Sequence, residues 1–238
     1  MLSIIIPTRE EEKVIGSALQ HLDTHLMIEH ELIVSDGRSL DDTVRIAEHH
    51  ADIVKVFTGE HHNPAIGRND GAREAQHDYL VFIDADTHIP DPEGFFRIAL
   101  SHMTDPAVVG VTGPQRALPR VERISDRLSF GLLNLAIRIN NNVLHRGEAS
   151  GKFMMVRREA FDKVGGFRTD LVTREDGDFF YRISKIGRTR YDPRLMVYHG
   201  ARRAHALGWA RLWSLWILNT IHVSLFDKAL SRDWTPIR

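Results

Sequence analysis

Up to Thr87 the chain alternates short apolar runs with helical patterns, and this order constrains its fold more than any other feature. The runs are Leu2–Ile6, Glu31–Val34, Ile53–Phe57 and Leu80–Ile83. Between them, the spacing predicts helices over Glu10–Leu22, Asp42–His49 and Gly67–Ala75, with a loop over His61–Ala65. Thr8 precedes Glu11 by three, a capping-box spacing that opens the first helix. Strand and helix in strict alternation imply a mainly parallel, Rossmann-like α/β sheet built from right-handed crossovers. Such sheets place ligands beyond the carboxyl ends of their strands. Acidic side chains stand at three of those ends: Glu10, Asp36, and Asp84 with Asp86.

The sharpest of these ends is YLVFIDADT, Tyr79–Thr87. A strand buried on both faces has no use for two carboxylates, so they belong past its end. On an extended backbone Asp84 and Asp86 point the same way, because side chains alternate with period two. Two convergent carboxylates suit a hard divalent ion, Mg²⁺ or Mn²⁺, held against phosphates; a turn cap is the plain structural alternative. Asp36 likewise reads either as a hydrogen-bond acceptor for a ribose or base N–H, or as a turn aspartate before Gly37. No Gly-x-Gly-x-x-Gly follows the first strand and no phosphate-loop motif occurs, which excludes the common dinucleotide and P-loop sites. The net charge of −1 gives no bulk attraction to nucleic acid, and the lack of cysteine excludes thiolate catalysis. Met1 runs straight into the first strand without a basic leader, an expectation of a cytoplasmic protein.

Beyond Thr87 the pattern loosens. Pro92–Met103 reads as a helix and Val108–Thr112 as a strand. Val121–Leu144 is a long amphipathic pattern with Ile124, Leu128, Leu132, Leu135 and Ile139 on one face and Arg123, Arg127, Arg138 and asparagines on the other. Its apolar face is expected to pack on the sheet, or else to lie near a membrane surface or an acceptor. Phe153–Val156 is strand-like, and Arg158–Val164 a short helix stopped by Gly165 and Gly166. Thr173–Asp178, TREDGD, opens a helix to about Ile186. Acids favour a helix N-terminus, but three within four positions exceed capping needs, and one could act as a general base. Strands over Thr189–Tyr191 and Met196–Tyr198 follow, the second ending at His199, a metal ligand or a structural ring. The tail, GWARLWSLWILNTIHVSLFDKAL, carries Trp209, Trp213 and Trp216 and is too short and too interrupted for a spanning helix. It suits a membrane interface, or packing on the domain or on a second copy. Arg202 and Arg203 before it could meet a phosphate.

Taken together, SIIIPTREEEKV, LIVSDGRSLDDT, GRNDGAREA, VFIDADT, GKFMMVRREAFDKVGGF and REDGDFFYRISKIG occur in the order found in the GT-A-fold, family 2 glycosyltransferases, which the chain resembles from Ser3 to about Gly200. The resemblance implies a GT-A domain over residues 1–200, with a nucleotide-sugar half to about 114 and an acceptor half from 115, and a helical tail over 201–238. It implies that Pro7, Thr8, Glu10, Asp36 and Arg68 line a nucleotide pocket, that Asp86 binds Mn²⁺ or Mg²⁺, and that Asp84 contacts the nucleotide sugar or a metal-bound water. It implies Asp176 as catalytic base, with Glu175 beside it, and His199 as a further metal or diphosphate ligand. The implied reaction is inverting transfer of a sugar from UDP or GDP to a glycan or lipid-linked acceptor.

Two departures matter. Arg38 stands where the family usually has a small residue. The Gln-x-x-Arg-Trp of processive synthases is missing, so transfer of a single sugar is expected. The competing functions are a sugar nucleotidyltransferase, which wants a Gly-rich first turn in place of Pro7-Thr8-Arg9-Glu10, and a silent binding module, which predicts loss of Asp86 or Asp176.

Overall fold

The computed structural model describes residues 1–59, 62–226 and 228. The expected loop start at His61 and the far end of the tail, residues 229–238, lie outside the described residues. Strands β1 (Leu2–Thr8), β2 (His30–Asp36), β3 (Ile53–Val56) and β4 (Tyr79–Phe82) alternate with helices α1 (Ile15–His25), α2 (Thr43–Ala47) and α3 (Pro64–Glu74). After α4 (Pro92–His102) come β5 (Val108–Thr112), β6 (Gln115–Ala117), α5 (Ile124–Asn142), β7 (Met154–Arg157), α6 (Arg158–Lys163) and α7 (Glu175–Ile183). The chain continues through β8 (Arg188–Tyr191), β9 (Val197–His199), α8 (Arg202–Leu207) and α9 (Trp209–Phe226).

Among the described residues the main sheet has seven strands in the order β3-β2-β1-β4-β7-β5-β8. All neighbours are parallel except β7, which runs antiparallel to both β4 and β5. The sheet is thus mainly parallel, as expected, with one reversed strand beside the aspartate strand. Its two faces are buried separately. Leu2, Ile4 and Ile6 pack with Leu19, Phe95 and Phe96 of α1 and α4. Ile5, Leu80 and Phe82 pack with Phe161, Phe179 and Phe180 under α3, α6 and α7. Gly71 lets α3 sit directly on β1, since a Cβ there would lie 2.4 Å from Ile5 Cγ2.

Three local expectations are corrected. The capping box at Thr8 and Glu11 does not form. β1 continues through Pro7 and Thr8, paired to Ser35 and Asp36, and α1 begins only at Ile15. Pro7 is tolerated there because the ladder to β4 ends at Ile5 and Phe82, so its missing N–H faces no partner strand. The Glu11 N–H instead reaches Thr43 Oγ1 at 2.8 Å. Helix α3 starts earlier than expected, at Pro64, because Asn63 caps it by accepting from the Ile66 N–H at 2.9 Å.

The third correction is α5. Its apolar row does not pack on the sheet: Ile124, Leu128, Leu132 and Leu135 are 52–80% exposed. The asparagines turn inward instead, because their side chains satisfy backbone at the sheet edges, while Arg123, Arg127 and Arg138 stay exposed. Asn134 bonds the N–H and C=O of Gln115, and Asn142 bonds those of Tyr191. Asp126, with no exposed surface, accepts from the Arg123 N–H at 2.8 Å, His205 at 2.7 Å and Trp209 Nε1 at 2.7 Å. This carboxylate fastens α8 and α9 to α5. Among the described residues no helix is long and apolar enough to cross a membrane.

Candidate active site

A cleft of 540 Å³ opens at the carboxyl ends of β1 and β4. It brings together eight of the ten residues to which the resemblance gives a role, Pro7, Thr8, Arg68, Asp84, Asp86, Glu175, Asp176 and His199, together with Arg202 and Arg203. Two others do not reach it. Asp36 is wholly buried and fully engaged, accepting from Thr8 Oγ1 at 3.0 Å and from the Ser39 N–H and Oγ at 2.7 and 2.6 Å. These bonds tie it to Thr8 of β1 and to the turn after β2. Glu10 has positive φ (57°) and lies in a separate depression with Leu40 and Asp41.

The sequence reading left out Lys152, and it gave Arg202 to a phosphate without pairing it to a carboxylate. Lys152 Nζ lies 3.0 Å from Asp84 Oδ2 and 2.6 Å from Asp86 Oδ1, so the two aspartates do converge, here on one ammonium. Extending the antiparallel register of β4 and β7 places residue 152 opposite Asp84. Arg202 bridges Asp86 at 3.4 Å and Glu11 at 3.0 Å. Burial alone would raise the Asp86 carboxyl, but Lys152 first, and Arg202 after it, outweigh it and hold it well below the ordinary range. Lys152 is raised in turn, as Asp84 and Asp86 overcome its burial.

Arg68 is buried at the centre, donating to Glu175 at 2.8 Å and to Asp84 at 3.2 Å, with its guanidinium over the Phe167 ring. Gly151 makes room for it, since a Cβ there would lie 2.3 Å from Nη2. The three acids of the α7 first turn therefore divide. Glu175 is committed to Arg68 and Asp178 to Arg182 at 2.7 Å. Asp176 accepts only the Gly177 N–H, at 2.8 Å, and among the described residues no cation contacts it. Burial, then Asp176, push Glu175 upward against the pull of Arg68.

His199 is buried against Phe130, and burial, then Lys152, lower its pKa to about 3, so the ring is neutral. Its Nδ1 takes the Ala201 N–H at 3.1 Å, which puts the ring proton on Nε2. That Nε2 is buried without a partner. A diphosphate oxygen would accept its proton; a metal would require the proton to leave. Among the described residues no three carboxylate or imidazole groups form a ready-made metal cage. The donor set still fits a divalent ion brought in by a diphosphate, which typically needs only one or two protein carboxylates.

Glu148 was also absent from the sequence reading. It lines the cleft near Asp176 and meets Arg174 at 3.3 Å. Burial pushes its carboxyl up to about 7 from an ordinary 4.5, with Asp176 adding and Arg174 opposing. The folded chain thus keeps a proton that the unfolded chain releases. The associated stability is full below about pH 4.5 and lost as pH rises through about 7. Glu148→Gln removes this loss. Its melting temperature relative to the parent chain should move in the variant's favour between about pH 5 and pH 8. Calorimetry across that range tests this; a constant difference would contradict it. Titrating groups that do not interact with Glu148 cancel in the comparison.

The reversed strand beside the aspartate strand, with the acidic helix facing it, is the arrangement of a GT-A fold. The chain belongs to the family described as Glycosyl transferase family 2, whose profile matches residues 3–165. It is 26% identical over 177 residues to poly-beta-1,6-N-acetyl-D-glucosamine synthase of Staphylococcus aureus (strain COL), covering 70% of this chain and 42% of that protein. The Staphylococcus epidermidis synthase is 24% identical over 211 residues, covering 83% and 49%. The chain spans about half the length of the curated relatives it matches. Among solved structures, mannosyltransferase PcManGT from Pyrobaculum calidifontis in complex with GDP-Man and Mn²⁺ aligns with TM-score 0.66 at 22% identity, over 91% of this chain and 64% of that one. Glucosyl-3-phosphoglycerate synthase from Mycobacterium tuberculosis, in complex with Mn²⁺, UDP and glucosyl-3-phosphoglycerate, gives 0.62 at 21%, over 93% and 78%. At these identities the likeness is one of fold.

Proposed function

We propose that this chain transfers a single sugar from a UDP- or GDP-sugar to a hydroxyl or phosphate of a glycan or lipid-linked acceptor, with inversion at the anomeric carbon and Asp176 as general base. The observation that carries this reading is the division of the α7 acids. Only Asp176 lacks a cation, and it shares a cleft with Asp84 and Asp86. Pro7, Thr8 and Arg68, which line the cleft, would meet the nucleotide. Asp86 would hold Mn²⁺ or Mg²⁺, with Asp84 toward the nucleotide sugar or a metal-bound water and His199 toward the metal or the diphosphate. When bound, the metal supplies positive charge to the leaving diphosphate. Lys152 and Arg202 add fixed positive charge beside the same position, where charge develops as the bond breaks. Asp176 takes the acceptor proton as the acceptor oxygen bonds to C1 and the bond from C1 to the phosphate oxygen breaks on the opposite face. Glu175, bound to Arg68, positions the helix that carries Asp176.

PcManGT and the mycobacterial synthase, whose structures hold Mn²⁺ with a nucleotide or nucleotide sugar, support the donor and metal classes. A nucleotidyltransferase is disfavoured by the first turn, Pro7-Thr8-Arg9-Glu10, and a silent module by the presence of Asp86 and Asp176. Incubation with a panel of UDP- and GDP-sugars, with and without Mn²⁺, tests the proposal. Metal-dependent release of nucleotide from one donor is expected. Release without any metal dependence would overturn the mechanism.

A further inference from the structure

We infer that the exposed face of α5 is a docking surface for an anionic lipid bilayer, on which the helix lies in the interface plane. The apolar row Ile124, Leu128, Leu132, Leu135 and Ile139 falls on one side of the helix and is 39–80% exposed. Arg127 and Arg138 stand along one edge of it, both exposed. Charge selects the occupant. Between Leu118 and Gly147 the acids are Glu122, held by Arg116 and Arg127, and Asp126, which is wholly buried. The exposed charges of that stretch, Arg120, Arg123, Arg127, Arg138 and Arg146, are all basic, although the whole chain carries −1. An apolar row edged by arginine, with no exposed carboxylate, matches an anionic headgroup layer over hydrocarbon.

A second copy of the chain fits less well. A two-fold interface brings the same patch against itself, so it would set arginines against arginines with no acid on this helix to meet them. Spanning is excluded for α5, as for every helix among the described residues. The opposite face of α5, Phe130, Leu133 and Ile137, lines the cleft. Docking therefore holds the cleft about one helix diameter, roughly 10 Å, from the lipid surface. Within the proposed reaction, this favours an acceptor whose reactive group stands clear of the headgroups.

Co-sedimentation with vesicles of phosphatidylcholine, alone and mixed with phosphatidylglycerol, tests the inference. The chain should bind the mixed vesicles, less so at high salt. Leu128→Ser/Leu132→Ser/Leu135→Ser should abolish binding. Arg127→Gln/Arg138→Gln should weaken binding to mixed vesicles by roughly twenty-five-fold, about fivefold per arginine. Calorimetry with UDP and GDP on the same samples separates this surface from the proposed function. Nucleotide binding retained without vesicle binding overturns the docking surface alone; vesicle binding without nucleotide binding supports it and counts against the transferase reading. Vesicle binding unaffected by either variant overturns the inference. So does a dimer in light scattering that the triple serine variant dissolves while vesicles are ignored.

Discussion

An Asp176→Asn chain is expected to bind its nucleotide as the parent does and to transfer sugar about 10²–10⁴-fold more slowly. The substitution is nearly isosteric, and the asparagine oxygen can still accept the Gly177 N–H, so the α7 N-terminus keeps its shape. What is lost is the ability to take a proton. Asp178→Asn is the control, because Asp178 is spent on Arg182 and its loss removes an ion pair without touching the cleft. Single-turnover kinetics with calorimetric nucleotide affinity separates the effects. Near-normal turnover in Asp176→Asn would transfer the base role to Glu148, which lines the same cleft and whose partner Arg174 is partly exposed.

The second large effect is expected at Arg68. Its guanidinium is 3% exposed and joins Glu175 of α7 to Asp84 after β4. Arg68→Met keeps much of the volume and the contact with Phe167, but strands the Glu175 carboxylate. Removing one partner of a buried pair typically costs about 3–5 kcal/mol. For a chain of this size that is a fall on the order of 10 °C in melting temperature. Protonation relieves a stranded carboxylate, so the deficit should widen as pH rises. Arg68→Lys should not rescue it, because one ammonium cannot reproduce a fork that reaches two carboxylates. Scanning calorimetry of both variants checks this, and a loss below about 1 kcal/mol would mean that Arg68 does not hold the two halves together.

What was legible in the sequence followed from local periodicity. Each of β1 to β4 is a short apolar stretch, and acids stand at or just after the ends of β1, β2 and β4, so the parallel half and Asp84 and Asp86 could be read directly. The partners of those acids could not. Lys152 meets them only because β7 pairs antiparallel with β4, some seventy residues away in the chain, and no local pattern encodes that pairing. Thr8 and Glu11 have the spacing of a capping box, yet Asp36 and Thr43 compete for their polar groups across the sheet and win. In α5 the period was right and the direction wrong. Asn134 and Asn142 look like surface residues until the unpaired edges of β6 and β8 are placed against them. Asn63 before Pro64 was a readable cap, and it marks the true start of α3.

Asp126 sets how the molecule comes apart. It draws its hydrogen bonds from the start of α5, from α8 and from the first residue of α9. A carboxylate without exposed surface cannot give up these donors one at a time without standing as a bare charge in an apolar setting. The start of α5, α8 and the first turn of α9 therefore melt together, so the C-terminal helices do not peel away as an independent appendage. Because α5 and α9 both wall the cleft, the same carboxylate ties two of its walls to each other.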